Sequence, residues 1–108
     1  MYEYRAKVTH VVDGDTIDVR VDLGFKIYFD IRLRLFGIDT PELRGEEYEA
    51  GMKAKRFVEE KVLDREVIVK THKDKTGKYG RYLAEVFYDD VSLNQTLLGV
   101  GLARLADY

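Results

Sequence analysis

Apolar and polar residues alternate through the first third of the chain with the period of half-buried β-strands. In residues 4–12, Tyr4, Ala6 and Val8 fall on one side and Arg5, Lys7 and Thr9 on the other. Asp13-Gly14-Asp15 breaks this run as a turn or bulge. Alternation resumes with Ile17, Val19, Val21 and Leu23 against Asp18, Arg20 and Asp22. Gly24 allows a tight reversal, and a third strand carries Phe25, Ile27, Phe29, Ile31, Leu33 and Leu35 at every second position. These segments predict a meander with one buried face. The same period sets Arg32 and Arg34 opposite the apolar series, so Arg34 is expected on the outside of the sheet.

After Glu42 the period changes. Ala50, Ala54, Phe57, Val58 and Val62 fall at helical spacing with Glu and Lys between them, which predicts an amphipathic helix over about 46–63. Residues 65–71 return to strand spacing, with Val67 and Val69 inward. A Lys-rich loop over 73–80 leads to a fifth strand at 81–88, and Asp89-Asp90 makes the next turn. Ser92 or Asn94 caps a short helix bearing Leu93, Leu97 and Leu98. Five strands, a helix between strands 3 and 4, and a short C-terminal helix predict a β-rich α+β fold of OB type. Such a five-stranded, partly open barrel commonly binds oligonucleotides on its exposed face and loops. Element order alone leaves the function open.

Composition narrows the chemistry. The 108 residues predict one domain, 1–108, with a single core. There is no cysteine and only two histidines, His10 and His72, so any metal would be a hard cation on oxygen ligands. The formal net charge of −2 argues against coating nucleic acid through bulk charge, yet allows a local basic site. No window approaches the ~18 apolar residues of a membrane span. Met1-Tyr2-Glu3-Tyr4-Arg5 lacks the basic and then apolar run of a signal peptide, so no membrane is expected and the default location is cytoplasmic.

Three groups of residues are candidates for chemistry. Asp13 and Asp15 end the first strand, and Asp39 and Glu42 flank a corner held by Pro41, the only proline in the chain. A meander can bring these four acids together, and clustered carboxylate oxygens suit Ca²⁺. The plainer alternative is that Asp-Gly-Asp is only a turn. Arg34 and Arg81 offer planar forks that can clamp one phosphoryl group, or they are exposed arginines paired with those acids. From Lys70 to Arg81, five cations stand against the single acid Asp74, and Tyr79 beside them can stack on a base. The alternative there is a solvated hairpin tip. Taken together the parts suit phosphodiester hydrolysis: Asp15 and Asp39 for a cation, Arg34 and Arg81 for developing charge, and Glu42 for the attacking water.

The sequence resembles the staphylococcal nuclease (thermonuclease) family. The resemblance rests on Val12-Asp13-Gly14-Asp15-Thr16, on Arg34 through Glu42, on Lys78-Tyr79-Gly80-Arg81-Tyr82-Leu83-Ala84, and on Asn94 with Gly101-Leu102-Ala103. It implies an OB-fold barrel and a Ca²⁺-dependent, sugar-non-specific nuclease. The enzyme would act on DNA and RNA, preferentially single-stranded, and leave 5′-hydroxyl and 3′-phosphate ends. Asp15 and Asp39 match calcium carboxylates in the family, Thr40 a main-chain carbonyl ligand, and Asp13 an acid behind the metal. Glu42 matches the general base, Arg34 and Arg81 the phosphate-binding arginines, and Lys78 and Tyr79 the contacts to the terminal phosphate.

Three departures stand out. The chain lacks the strong basicity common among these nucleases, and Asp107 stands at the first place where the family has aromatic residues that stack near the base. A further C-terminal helix of the well-known members is absent, so the chain reads either as a minimal member or as a domain truncated at its C-terminus. A non-catalytic OB module that binds single-stranded nucleic acid or a protein partner is the alternative function. Such modules typically lose site acids or arginines, and this sequence keeps them all.

Overall fold

The computed structural model describes residues 2–76 and 82–106. Lys78, Tyr79 and Arg81, expected to contact phosphate or nucleotide, lie outside the described residues, as does Asp107. The chain runs β1 (Tyr2–Asp13), β2 (Thr16–Asp22), β3 (Tyr28–Leu35), β4 (Ile38–Asp39), a 3₁₀ turn (Gly45–Glu47) and α1 (Tyr48–Val62). It continues through β5 (Glu66–Thr76), β6 (Tyr82–Tyr88), β7 (Val91–Ser92), α2 (Leu93–Gly99) and β8 (Arg104–Leu105).

The main sheet is ordered β3-β2-β1-β5-β6-β7, and β3 also pairs with β6. That extra pairing closes the five long strands into a barrel, as expected for an OB-type fold. The closing pair is parallel, Leu33↔Tyr82 to Leu35↔Ala84, and the other pairs in the sheet are antiparallel. Branched aliphatics fill the interior: Val8, Val11, Ile17, Val19, Leu33, Leu35 and Val69 from strands, Val58 and Val62 from α1, and Leu93 and Leu97 from α2. The β-branched strand residues among them, Val8, Val11, Ile17, Val19 and Val69, suit a pleated surface packed on one side.

α1 plugs one end of the barrel with a stripe of Gly51, Ala54, Val58 and Val62. Ala50, expected on that stripe, is exposed, and Gly51 is buried in its place. The reason is steric: a Cβ on Gly51 would stand 2.5 Å from the Glu42 carbonyl oxygen and 2.8 Å from that of Pro41. The end of α1 is tied to β1, where the Asp64 N–H donates to Val8 O and the Val8 N–H to Arg65 O. Just past this point the β1–β2 register slips, between Val8 and His10.

Phe25 is not in a strand. Gly24, Phe25 and Lys26 all take positive φ (82°, 54° and 61°) in the β2–β3 turn, closed by a Leu23 N–H···O Ile27 bond of 2.9 Å. Phe25 is left 97% exposed, because alternation marks a face but cannot say where the chain reverses. Likewise β5 runs on to Thr76, beyond the expected end at 71. At α2 the cap is Ser92, whose Oγ accepts from the Gln95 N–H, while Asn94 is buried inside the helix.

Candidate active site

The β1–β2 turn, the end of β3 and the Pro41 corner meet at one end of the barrel. Register alone brings two of them together, since Asp13 pairs with Thr16 and Thr16 with Arg34. Gly14 brings in the third. A Cβ there would sit 2.8 Å from the Thr40 methyl and from Ala54 Cβ, so only glycine lets the turn close against the corner and α1.

Arg34 lies at the centre. It is on the face opposite the apolar series, as its spacing predicts, yet it is buried (6% exposed) where an outward position was expected. Its guanidinium spans two carboxylates, with Nη1 on Asp15 Oδ2 and Nη2 on Asp39 Oδ1, and Nη2 also reaches Ile38 O at 3.3 Å. Asp15 and Asp39 cover it because β4 folds back over the end of β3 and pairs with β8, placing Asp39 opposite Arg104. Strand period cannot report a covering segment that arrives from elsewhere in the chain.

Asp15 is the best-held acid. Its Oδ1 accepts from Thr16 Oγ1 at 3.1 Å and its Oδ2 from the Thr40 N–H at 3.0 Å. Burial is the largest influence on its pKa and pushes it up. Hydrogen bonding with Asp13, the Thr40 N–H and the Arg34 guanidinium together outweigh burial, and the carboxyl is held below its ordinary value. Asp13 shows the converse. Burial first, then the hydrogen bond and the charge of Asp15, raise it to about 6, against a smaller opposing effect of the Asp15 N–H. That N–H donates to Asp13 Oδ1 at 3.1 Å.

Five of the expected residues, Asp13, Asp15, Arg34, Asp39 and Thr40, therefore adjoin one another. Glu42 stands apart on the same corner: it is exposed, and its carboxylate pairs with Arg44 at 2.8 Å. Among the described residues no three His, Cys, Asp or Glu side chains form a group that could hold a metal ion. The donors that do meet are carboxylate and main-chain oxygens, the chemistry a hard cation such as Ca²⁺ takes, with water completing the shell. The buried Thr40 Oγ1 has no hydrogen-bond partner, which leaves polar capacity unused at this point. Arg34 balances the two carboxylates.

Sequence reasoning passed over Gly51 and Arg44, and read Asn94 only as a possible cap and a point of resemblance. Gly51 admits the Pro41–Glu42 backbone, and its signal was a glycine early in a helical repeat, where it costs about 1 kcal/mol against alanine. Arg44, two residues after Glu42, was also legible by spacing. Asn94 ties the region to the barrel seam: its Nδ2 donates to Phe36 O (3.0 Å) and Ala84 O (3.1 Å), and its Oδ1 accepts from the Val86 N–H (3.1 Å). A cavity of about 230 Å³ opens beside the acids, lined by Asp39, Thr40, Pro41, Glu47 and residues 101–104. Among the described residues no helix is long and apolar enough to cross a membrane.

Comparison with known proteins gives the cluster a context. A family described as staphylococcal nuclease homologue matches residues 32–108. A Methanocaldococcus jannaschii protein, itself uncharacterized, is 35% identical over 94% of this chain and 59% of its own length. The thermonuclease of Staphylococcus intermedius is 35% identical, again over 94% of this chain and 59% of its own. A prophage-derived endonuclease of Bacillus subtilis is 36% identical over 88% of this chain and 32% of its own. The chain thus spans at most about three fifths of the length of these relatives.

Proposed function

The chain belongs to the staphylococcal nuclease homologue family, and from that premise we propose that it is a Ca²⁺-dependent, sugar-non-specific nuclease. It hydrolyses phosphodiester bonds of DNA and RNA, preferentially single-stranded, and leaves 5′-hydroxyl and 3′-phosphate ends. The observation that carries this reading is the burial of Arg34 between Asp15 and Asp39. A buried ion cluster is poor value as a stabiliser, since apolar residues of similar size are often as good or better. A fold that keeps one at the mouth of a cleft is better explained by chemistry.

Asp15, Asp39 and the Thr40 carbonyl would hold the calcium ion, which when bound offers positive charge to a phosphoryl oxygen. Arg34 donates to the phosphate through whichever N–H groups its carboxylates release, and Arg81 supplies the second fork. A guanidinium suits this task because it stays charged at any working pH. Glu42 accepts the proton of the attacking water, which requires it to exchange its Arg44 partner for the cleft. Lys78 and Tyr79 contact the terminal phosphate. Asp13, behind Asp15, holds the Asp15 main chain by accepting from its N–H.

One observation favours a second reading, a binding module without catalysis: Glu42 faces solvent and Arg44. Incubation with single-stranded DNA and Ca²⁺, followed by chelation, separates the two. Cleavage that stops with chelator and yields 3′-phosphate ends supports the nuclease. Retention of intact strands, with or without Ca²⁺, overturns it in favour of the module.

A further inference from the structure

A second recess begins where the acid cluster ends. It encloses about 890 Å³ along β3, with Val12, Thr16, Ile31, Phe29, Arg32 and Tyr82 among its walls. That volume is in the range of small-ligand pockets. Thr16 joins the two places: it lines this groove, lies in register with Arg34, and donates to Asp15. Phe29 marks the far end, five residues along β3 from Arg34, or about 17 Å in an extended strand.

The charges of the groove cancel in pairs. Arg32 donates to both Asp18 oxygens (2.7 and 3.1 Å), and Arg20 does the same to Asp30 (2.8 and 3.1 Å). A phosphate finds no uncommitted fork in these two arginines. Two aromatic rings do stay open, Phe29 at 52% exposure and Tyr82 at 48%. Neutral walls with open ring faces suit flat heteroaromatic groups, and stacking accepts any base.

We propose that this groove is a subsite for the bases of a single-stranded polynucleotide that runs from the phosphodiester held at Arg34 along β3, with Tyr82, in register with Leu33, as the near stacking platform and Phe29, several nucleotides away, as the far one. The inference rests on the nuclease reading and adds to it a preference for strand length. Short substrates occupy the acid cluster and the Tyr82 end, and only longer strands reach Phe29.

The test uses the whole protein and the variants Phe29→Ser and Tyr82→Ser. Both positions are exposed, so folding survives, and circular dichroism checks this. Anisotropy of a fluorescent twelve-nucleotide oligothymidylate in chelator should show each variant binding about tenfold more weakly. With Ca²⁺, Phe29→Ser should raise KM for the twelve-mer about tenfold more than KM for a thymidine dinucleotide, with kcat much less affected. Equal changes for both lengths, or none, overturn the groove. If the wild type cuts the twelve-mer and the variants match it, the groove falls and the nuclease stands. If the variants bind less but nothing is ever cut, the nuclease falls and the groove stands as a binding surface. No binding and no cutting removes both. A wild-type dimer that Phe29→Ser splits would make the groove an interface between copies and overturn the proposal.

Discussion

Asn94→Leu tests how the site is tied to the barrel. The side chain is 2% exposed and makes three hydrogen bonds to main chain on two elements. Leucine keeps the branched outline and leaves no cavity, but its two methyl groups are bulkier than the amide, so some overpacking adds to the polar loss. The Ala84 carbonyl keeps the Phe36 N–H as donor at 2.8 Å. The Val86 N–H, which donates to Asn94 Oδ1 inside the core, is left without an acceptor at a cost of ~1–3 kcal/mol. Two lost donations to carbonyls add ~0.5–1.5 kcal/mol each. Burial of the leucine returns ~1–2 kcal/mol, which leaves a net loss of about 3 kcal/mol. Urea titration should show a lower midpoint at unchanged slope. Asn94→Asp keeps the acceptor for Val86 but sets a carboxylate against two carbonyl oxygens, so its loss should shrink at acid pH as the group protonates. A midpoint shift worth less than about 1 kcal/mol for the leucine variant would show that the three bonds do not hold the seam.

Three further outcomes are expected. Gly51→Ala should lower the melting temperature despite a helix-propensity gain of ~1 kcal/mol, because overpacking against Pro41 and Glu42 costs ~1–3 kcal/mol; a higher melting temperature would refute the close approach. Arg34→Lys keeps the charge but cannot span Asp15 and Asp39 with one planar fork, so it should lose stability by ~1–3 kcal/mol in urea and most phosphodiesterase turnover; wild-type values for both would refute the clamp. The Arg32 hydrogen bond, then its charge, depresses the Asp18 carboxyl below its ordinary 3.8. The pair's contribution is therefore complete above that pH and fades as pH falls through the depressed value. Solvent screening limits it to ~0.2–1 kcal/mol, and Asp18→Asn should differ from wild type in denaturant at pH 7 and converge with it as the pH falls below the depressed value.

The parts governed by local period were legible in the sequence. Ile17, Val19 and Val21 marked the inner face of β2, and Asp13-Gly14-Asp15 marked its turn. Residues set by distant chain were harder. Arg34 shows the period of an outward residue but is roofed by β4, which exists only because β8 pairs with it some 65 residues later. Asn94 carries the composition of a helix cap, yet its partners lie on β6 and beyond β3. The left-handed Phe25 and Lys26 follow from no propensity, since neither residue favours that conformation. The acid cluster could be proposed from sequence because each member ends a strand or a turn. Glu42 could not be oriented, because an exposed side chain is placed by a neighbour such as Arg44 and not by packing.

The parallel seam between β3 and β6 has a kinetic consequence. Its partners, Leu33 and Tyr82, are separated by roughly 50 residues of chain, so closing the seam carries a loop-closure entropy that short hairpins avoid. The β1–β2–β3 meander can form early from local contacts, while Leu35 meets Ala84 only when the ring shuts. Refolding followed by amide exchange should therefore protect the meander amides first and the Phe36 and Val86 amides late, and any catalytic competence should return with the slower phase.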